Sequence, residues 1–111
     1  MITRNSAYVY TNADLIADTT LLIFMPDKVR RVNTYFRTVL DSGATPLIQL
    51  FYVVDIGGGN VVLASSAVIN ATANGVLTFD YPPALLRLLI DVGPVAQNWN
   101  VTLNVDVFTE E

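Results

Sequence analysis

The chain has 111 residues, of which 52% are hydrophobic and 14% charged, and its formal net charge is −4. This length fits a single domain, and its six Lys and Arg are too few to track a phosphate backbone or an anionic membrane surface. Cysteine and histidine are absent, which excludes disulfides, Cys- or His-based metal sites, and nucleophilic catalysis of the Ser-His-Asp or Cys-His kind.

The low charge content predicts that part of the surface is covered. Soluble domains usually have about one quarter of their residues charged, so we expect a partner to cover some of the apolar excess. The alternative is that a small β domain needs many apolar residues to fill a core from short strands.

Residues 1–18 have the weakest pattern in the chain. Met1 to Asn5 lack the apolar stretch of a signal peptide, and a short apolar run follows at Ala7–Thr11. We interpret residues 1–18 as an N-terminal arm or first strand, and residues 19–111 as a single β-sandwich domain.

Runs rich in Val, Ile, Thr, Tyr and Phe alternate with turn residues through the rest of the chain. Short runs at regular spacing are typical of an all-β sandwich or barrel. We predict a two-sheet antiparallel β-sandwich, jelly-roll-like, with about eight strands. The predicted strands are Ala7–Thr11, Thr20–Met25, Val29–Leu40, Leu47–Asp55, Val61–Ile69, Val76–Tyr81, Leu85–Val92 and Asn98–Thr109.

Two glycine-containing segments predict turns. Asn74-Gly75 lies between apolar runs and matches a two-residue hairpin turn, whose central positions need positive φ. Residues 57–60, Gly-Gly-Gly-Asn, predict a loop tip, because they lack the Lys-Ser/Thr and the following helix of a phosphate-binding loop. The segment after Pro82 could open a helix, but its correspondence with the β-branched and aromatic segment 34–41 favours a strand.

A short repeat links two parts of the chain. Residues 36–43 read Phe-Arg-Thr-Val-Leu-Asp-Ser-Gly and residues 86–93 read Leu-Arg-Leu-Leu-Ile-Asp-Val-Gly, so Arg, Asp and Gly match in position. Each copy runs through a short turn into an extended segment, which predicts two related β-hairpins. Shared turn chemistry, in which Asp bonds its own backbone before a Gly, could produce the same likeness without duplication.

The second strand of each half indicates which side chains face outward. Residues 98–107 alternate strictly, which predicts a buried apolar face beginning at Trp99 and a solvent-facing polar face ending at Asp106. The matching segment of the first half places Phe51 and Val53 outside. An apolar pair outside a sheet is a candidate contact surface, unless another part of the chain, such as Tyr8 to Tyr10, covers it.

We therefore predict protein–protein contacts rather than chemistry. The aspartates are scattered and mostly end predicted strands, where they usually form turns, so we predict no enzyme, no catalytic residue, no cofactor and no metal site. Trp99 and the tyrosines could form a sugar-binding platform, but the place of Trp99 on the buried face favours a core residue. The interface candidates are Tyr8, Tyr10, Leu47, Phe51 and Val53.

The last part of the chain has a distinctive order of features. Tyr81-Pro82-Pro83 leads to the Arg-containing strand that ends at Gly93, and an alternating strand follows from Asn98 to Thr109. This order, with the preceding segment from Gln49 to Gly59, resembles small β-sandwich structural proteins of tailed bacteriophage virions, of the capsid decoration or cement type. Pro94 to Gln97 depart from the Gly-, Ser- and Thr-rich loop of that pattern.

The resemblance implies a non-catalytic capsid decoration or cement protein that stabilises the shell through protein contacts. Its expected partners are copies of itself, with a trimer favoured, and a major capsid protein; neither nucleic acid nor a membrane is expected. Its expected location is the virion, on the capsid surface, after synthesis in the host cytoplasm. The alternative is a tail-associated, carbohydrate- or receptor-binding β-sandwich module.

Overall fold

The computed structural model describes residues 1–43, 48–69, 72–92 and 97–110. Each predicted strand corresponds to one of the strands found in these ranges, although β1 and β6 begin earlier than predicted and β5 ends earlier. The segment after Pro82 is a strand, as favoured. The strands are β1 (Ile2–Leu15), β2 (Thr19–Phe24), β3 (Val29–Gly43), β4 (Ile48–Asp55), β5 (Asn60–Ser65), β6 (Ala73–Asp80), β7 (Leu85–Val92) and β8 (Gln97–Glu110).

The strands form two antiparallel four-stranded sheets packed face to face. The first sheet has the order β1-β8-β3-β6, and the second sheet has the order β2-β7-β4-β5. The pairs β1·β8, β2·β7, β3·β6 and β4·β5 are those of one long antiparallel hairpin rolled into a sandwich, which is the jelly-roll arrangement. The predicted two-sheet, jelly-roll-like sandwich is confirmed.

The core lies between the sheets and is built from alternate residues of each strand. The alternation predicted for β8 is confirmed, because its apolar residues from Trp99 to Val107 point inward. Branched side chains suit such positions, since they pack well against neighbours on a pleated surface. The centre of the core comprises Trp99, Val101, Leu103, Val105 and Val107 of β8 and Leu86, Leu88 and Ile90 of β7.

Tyr52 connects the two sheets through the core. It is fully buried on β4, and its hydroxyl donates a 2.8 Å hydrogen bond to the carbonyl oxygen of Leu77 on β6. Because that donor is used, the Thr34 hydroxyl of β3 donates in turn to the Tyr52 oxygen, at 2.5 Å. A buried polar group without a partner is costly, and here the two hydroxyls satisfy each other.

The predicted hairpin turn at Asn74-Gly75 is wrong. Both residues lie inside β6, where Asn74 pairs with Arg37 and Gly75 pairs with Phe36. The glycine serves packing: a Cβ built on Gly75 would lie 2.5 Å from the Cζ of the Phe36 ring. The ring of Phe36 therefore occupies the space above Gly75, as an aromatic side chain often does over a strand glycine.

The two predicted β-hairpins around the repeat are also wrong. The strand containing Phe36 to Gly43, β3, pairs with β6 and β8, and the strand that follows it, β4, lies in the other sheet. The second copy behaves alike, because β7 and β8 belong to different sheets. Each repeat therefore precedes a crossing from one sheet to the other, and Gly93 itself lies outside the described residues.

The glycine-rich segment is a loop tip, as predicted. It joins β4 to β5, with Gly57 at φ 91° and Gly59 at φ 139°, conformations that favour glycine. The Asp55 carboxylate accepts a 2.8 Å hydrogen bond from the Gly57 N–H. At the other end of the chain, residues 2–15 form a full edge strand on β8, so the N-terminal segment is part of the sandwich rather than a detached arm.

Candidate interaction face

The outer face of the second sheet is rich in apolar side chains. Buried Leu21, Leu50 and Leu88 mark the inner positions of β2, β4 and β7, and the residues next to them along each strand point away from the core. The strand registers align these outward residues across the four strands. We call the following set the apolar outer face: Leu22, Phe24, Phe51, Val53, Val62, Leu85 and Leu89.

Exposure varies across the apolar outer face. Phe24 is 75% exposed, Leu22 49% and Val62 53%, and all three lie on the edge strands β2 and β5. On the central strand β4, Phe51 is half-buried and Val53 is only 1% exposed. The apolar area open to a partner is therefore largest along the two edges of the sheet.

One ion pair crosses the centre of this face. Arg87 of β7 lies beside Val53 in register, and its guanidinium Nη1 is 4.0 Å from Oδ2 of Asp55 on β4. Both side chains keep a substantial part of their surface in solvent, 32% for Arg87 and 42% for Asp55. Arg87 thus has a partner on the neighbouring strand, although the contact is at the limit of an ion pair.

A second acidic group lies at one end of the same face. Partial burial raises the pKa of Asp91 above its ordinary value, and the carboxylate of Asp18 raises it further. Asp18 is held in the link between β1 and β2 because its Oδ1 accepts a 2.8 Å hydrogen bond from the Val92 N–H. The two carboxyl groups therefore lie where the end of β7 meets the link.

The outer face of the first sheet is mainly polar and is centred on Asp106. This carboxylate was predicted to face water, which is wrong: it is buried, because the Arg4 guanidinium of β1 covers it at 2.5 Å. Asn104 donates a 3.1 Å hydrogen bond to the other carboxylate oxygen. Arg4 also lies over the ring of Tyr35, 5.4 Å from its centroid, and the Asp106 hydrogen bond raises the pKa of Arg4.

Hydrogen bonds continue from this centre toward the β6 edge. Asn33 donates to the Tyr35 hydroxyl at 3.1 Å, and Thr78 donates to the Asn33 amide oxygen at 2.9 Å. Arg31 and Asp80 form a 2.7 Å ion pair on the same face. The two outer faces of the sandwich therefore differ: the first sheet presents mainly polar groups that pair with one another, and the second sheet presents apolar side chains around the Arg87–Asp55 ion pair.

The five sequence-predicted contact residues are dispersed. Phe51 lies on the apolar outer face, and Val53 lies there too but is covered by its own chain. Tyr8 and Tyr10 are half-buried and pack against the core from β1, so they do not cover the Phe51 side of the other sheet. Leu47 lies outside the described residues.

Sequence reasoning missed most of the apolar outer face, although one signal was present. In residues 20–24, Thr-Leu-Leu-Ile-Phe, both sides of the strand carry apolar residues. When Leu21 and Ile23 fill the core, Leu22 and Phe24 must point outward. The same holds for Leu85 and Leu89 in β7, whose inner neighbours are buried. A strand apolar on both faces is normally covered on both.

A smaller feature lies at the end of the sandwich near Tyr81. This residue follows β6 with φ 52°, a rare conformation for a bulky side chain, and it is 67% exposed. Arg30 donates a 2.8 Å hydrogen bond to its hydroxyl. Next to Tyr81 is an open surface cavity of about 330 Å³, lined by Ile2, Arg30, Arg31, Asp80, Tyr81 and Phe108. Trp99, by contrast, is fully buried and takes no part in any such surface.

Within the described ranges no group of three or more acidic residues is placed to hold a metal ion. A helix with the length and apolarity to cross a bilayer does not occur in that part of the chain either.

Comparison with known proteins relates the chain to others through its fold. No protein family and no curated protein matches the sequence. A solved structure from Bacillus endospore appendages, described as a novel family of disulfide-linked pili, is similar with a TM-score of 0.57 and 15% identity, over 99% of this chain and 89% of that chain. A CBM4 structure gives a TM-score of 0.56 and 10% identity, over 81% of this chain and 60% of that chain.

A third structure, from the Gx strain of infectious bursal disease virus, has a TM-score of 0.41 and 13% identity, over 98% of this chain and 33% of that chain. At these identities the likenesses show the fold alone. The neighbours include a pilus protein and a virus protein.

Proposed function

We propose that this chain is a non-catalytic structural subunit that works by packing against other protein subunits. The observation that carries the proposal is the contrast between the two outer faces. Sandwich sheets exposed to water normally alternate apolar-in and polar-out, as the first sheet does at most of its outward positions. The second sheet does not, and a contiguous apolar patch on a soluble protein marks an interaction site.

We further propose that the assembly is a bacteriophage virion and that the chain decorates its capsid, where it contacts the major capsid protein and copies of itself. The virion resemblance of the sequence supports this destination. A shell presents the same binding site many times. Subunits that are linked to one another bind several of these sites at once, so that individually weak apolar contacts together give strong attachment.

The fold likeness to the endospore appendage supports a structural subunit without favouring a shell. That protein is described as disulfide-linked, and this sequence contains no cysteine. An assembly of this chain would therefore depend on non-covalent contacts, and the apolar outer face would provide them.

Immunogold labelling tests the destination. Antibodies raised against the purified protein are applied to thin sections of the cells that produce it and to intact particles isolated from them. Label on phage heads is the expected result. Label confined to tails or to surface filaments would overturn the capsid role and keep the structural one; label spread through the cytoplasm, with none on any ordered particle, would overturn both.

A second candidate, carbohydrate or receptor binding, is favoured by one observation, the exposed ring of Tyr81 beside two arginines and Asp80. Aromatic rings and paired polar groups are common in ligand sites, and the CBM4 likeness gives the fold a precedent. A glycan array is the measurement. A hit that Tyr81→Ala abolishes and Tyr35→Phe leaves intact would support this candidate; an array without a hit would count against it.

A further inference from the structure

We propose that the occupant of the apolar outer face is the same face of a second copy, related by a two-fold axis that runs parallel to the strands between β7 and β4. The inference rests on the proposed structural role and goes further by naming the partner. It makes a dimer the basic unit, in place of the trimer favoured from the sequence.

The first argument is the match of exposed apolar edges. An axis parallel to the strands places edge strand β2 of one copy over edge strand β5 of the other. Leu22 and Val62 lie in the same row across the sheet, through Arg87 and Val53. Leu22 of each copy therefore meets Val62 of its partner, so that two side chains that are about half exposed in one copy are buried at both edges.

The second argument is charge complementarity. A two-fold interface brings identical surfaces together, so it needs each charge to find its opposite on the same patch. Arg87 and Asp55 provide such a set, and their 4.0 Å separation within one chain leaves both groups able to form a closer contact. The same axis places Arg87 of β7 over β4 of the partner, the strand that carries Asp55.

The third argument is size, which predicts a weak contact. Four strands about 4.8 Å apart and on average about seven residues long, at about 3.3 Å per residue, cover roughly 19 by 23 Å, or roughly 440 Å² of flat area per copy. Stable dimers bury about 800 Å² of accessible surface on each side. The pair should therefore form reversibly, as suits a unit repeated in a larger assembly.

The absence of cysteine from the sequence allows a direct test. Leu22→Cys and Val62→Cys are made as separate proteins, and the two are mixed with a short bifunctional thiol crosslinker, because stacked sheets lie about 10 Å apart, beyond the reach of a disulfide. Each protein then carries a single thiol, so a covalent link between the two proteins reports the contact between copies.

Val9→Cys and Val76→Cys form the matched control. Both residues are exposed and point outward from the opposite edge strands of the first sheet, β1 and β6. Circular dichroism first confirms that all four variants keep the fold.

We expect the Leu22→Cys and Val62→Cys mixture to form covalent dimer at least tenfold faster than the control mixture or either variant alone. Equal rates in the two mixtures would overturn the proposal. Faster linking of Leu22→Cys to itself would also overturn it, because that outcome requires a different axis. Gold label on ordered particles together with equal rates would leave the structural role standing and remove only this contact.

Discussion

At the scale of single residues, the hydroxyl of Tyr52 shows how the two sheets are held in one relative position. Apolar side chains can slide past one another at small cost, whereas a hydrogen bond in the core restricts direction and distance. Tyr52 reaches from β4 to Thr34 and Leu77 on the opposite sheet. Sequence alternation predicted that Tyr52 points inward, but its partners depend on the pairing of strands far apart in the chain.

Tyr52→Phe should destabilise the fold by about 1–3 kcal/mol, because the Leu77 carbonyl and the Thr34 hydroxyl lose a buried partner. Chemical denaturation at pH 7 measures the loss. Adding Thr34→Val should cost less in the Tyr52→Phe background than in the wild type, since both hydroxyls then leave together. Strictly additive costs would show that the two hydroxyls are not coupled.

The same residue predicts a dependence on alkaline pH. Burial raises the pKa of Tyr52 above its ordinary value of 10.0, so above about pH 10 the unfolded chain releases this proton while the folded chain retains it. The stability from this group is present below pH 10 and is lost as the pH rises further. Unfolding free energies at pH 9 and pH 11 should differ more for the wild type than for Tyr52→Phe.

Gly75 makes an independent prediction. Gly75→Ala should destabilise the protein by about 1–3 kcal/mol, because the new methyl group overlaps the Phe36 ring and overfills the packing there. In a Phe36→Leu background the ring is gone, and the same change should be neutral or stabilise by about 0.5–1 kcal/mol, the usual preference for Ala over Gly in a strand. Thermal unfolding of the four proteins measures both effects; a Gly75→Ala cost unchanged by Phe36→Leu would contradict this role of the ring.

At the scale of elements, the sequence predicted strands well and their pairing poorly. β7 was predicted with its observed limits, and the alternation of β8 gave the correct inner face. The errors arose where one local sequence fits two structures. Asn-Gly is typical of a hairpin turn, but at residues 74–75 it lies within a strand, where the glycine leaves room for the Phe36 ring. The repeat was interpreted as hairpins because consecutive strands often pair, but strand ends near a Gly also suit a crossing between sheets.

The link between β1 and β2 makes a prediction at this scale. Asp91 lies beside Asp18, and its raised pKa means that the folded state resists ionising it. The stability from protonated Asp91 is present below about pH 3.8, the ordinary value, and is lost as the pH rises through the raised pKa. Asp91→Asn should therefore stabilise the protein at pH 7 relative to the wild type.

Denaturation at pH 3.5 and pH 7 tests this, with Asp27→Asn in the exposed β2–β3 turn as the control. The gain from Asp91→Asn should shrink at pH 3.5, where Asp91 of the wild type holds its proton. A gain equal at both pH values, or one matched by the control, would indicate that burial and the Asp18 carboxylate do not raise the pKa of Asp91.

At the scale of the whole molecule, the candidate surface could be predicted only in part. Phe51 was found because alternation set its side of the strand. The apolar outer face, however, draws on all four strands of a sheet whose order is β2-β7-β4-β5, and this order pairs residues as far apart in the chain as Thr19 of β2 and Ile90 of β7. The order of strands in a sheet cannot be predicted from short stretches of sequence. Composition gave the most useful indication, because the low content of charged residues predicted that a partner covers part of the apolar surface.

A contact made by such a face should show hydrophobic behaviour, and this is the last prediction. Sulfate strengthens apolar burial and cooling weakens it, whereas a contact through the polar first sheet would loosen as salt screens its charges. Sedimentation velocity of the wild type should therefore show more association with added sodium sulfate and less at 5 °C than at 30 °C. Phe24→Ser should reduce association about tenfold or more, while Val76→Ser on the polar face should leave it unchanged. Dissociation by sulfate, or equal losses in the two variants, would place the contact elsewhere on the molecule.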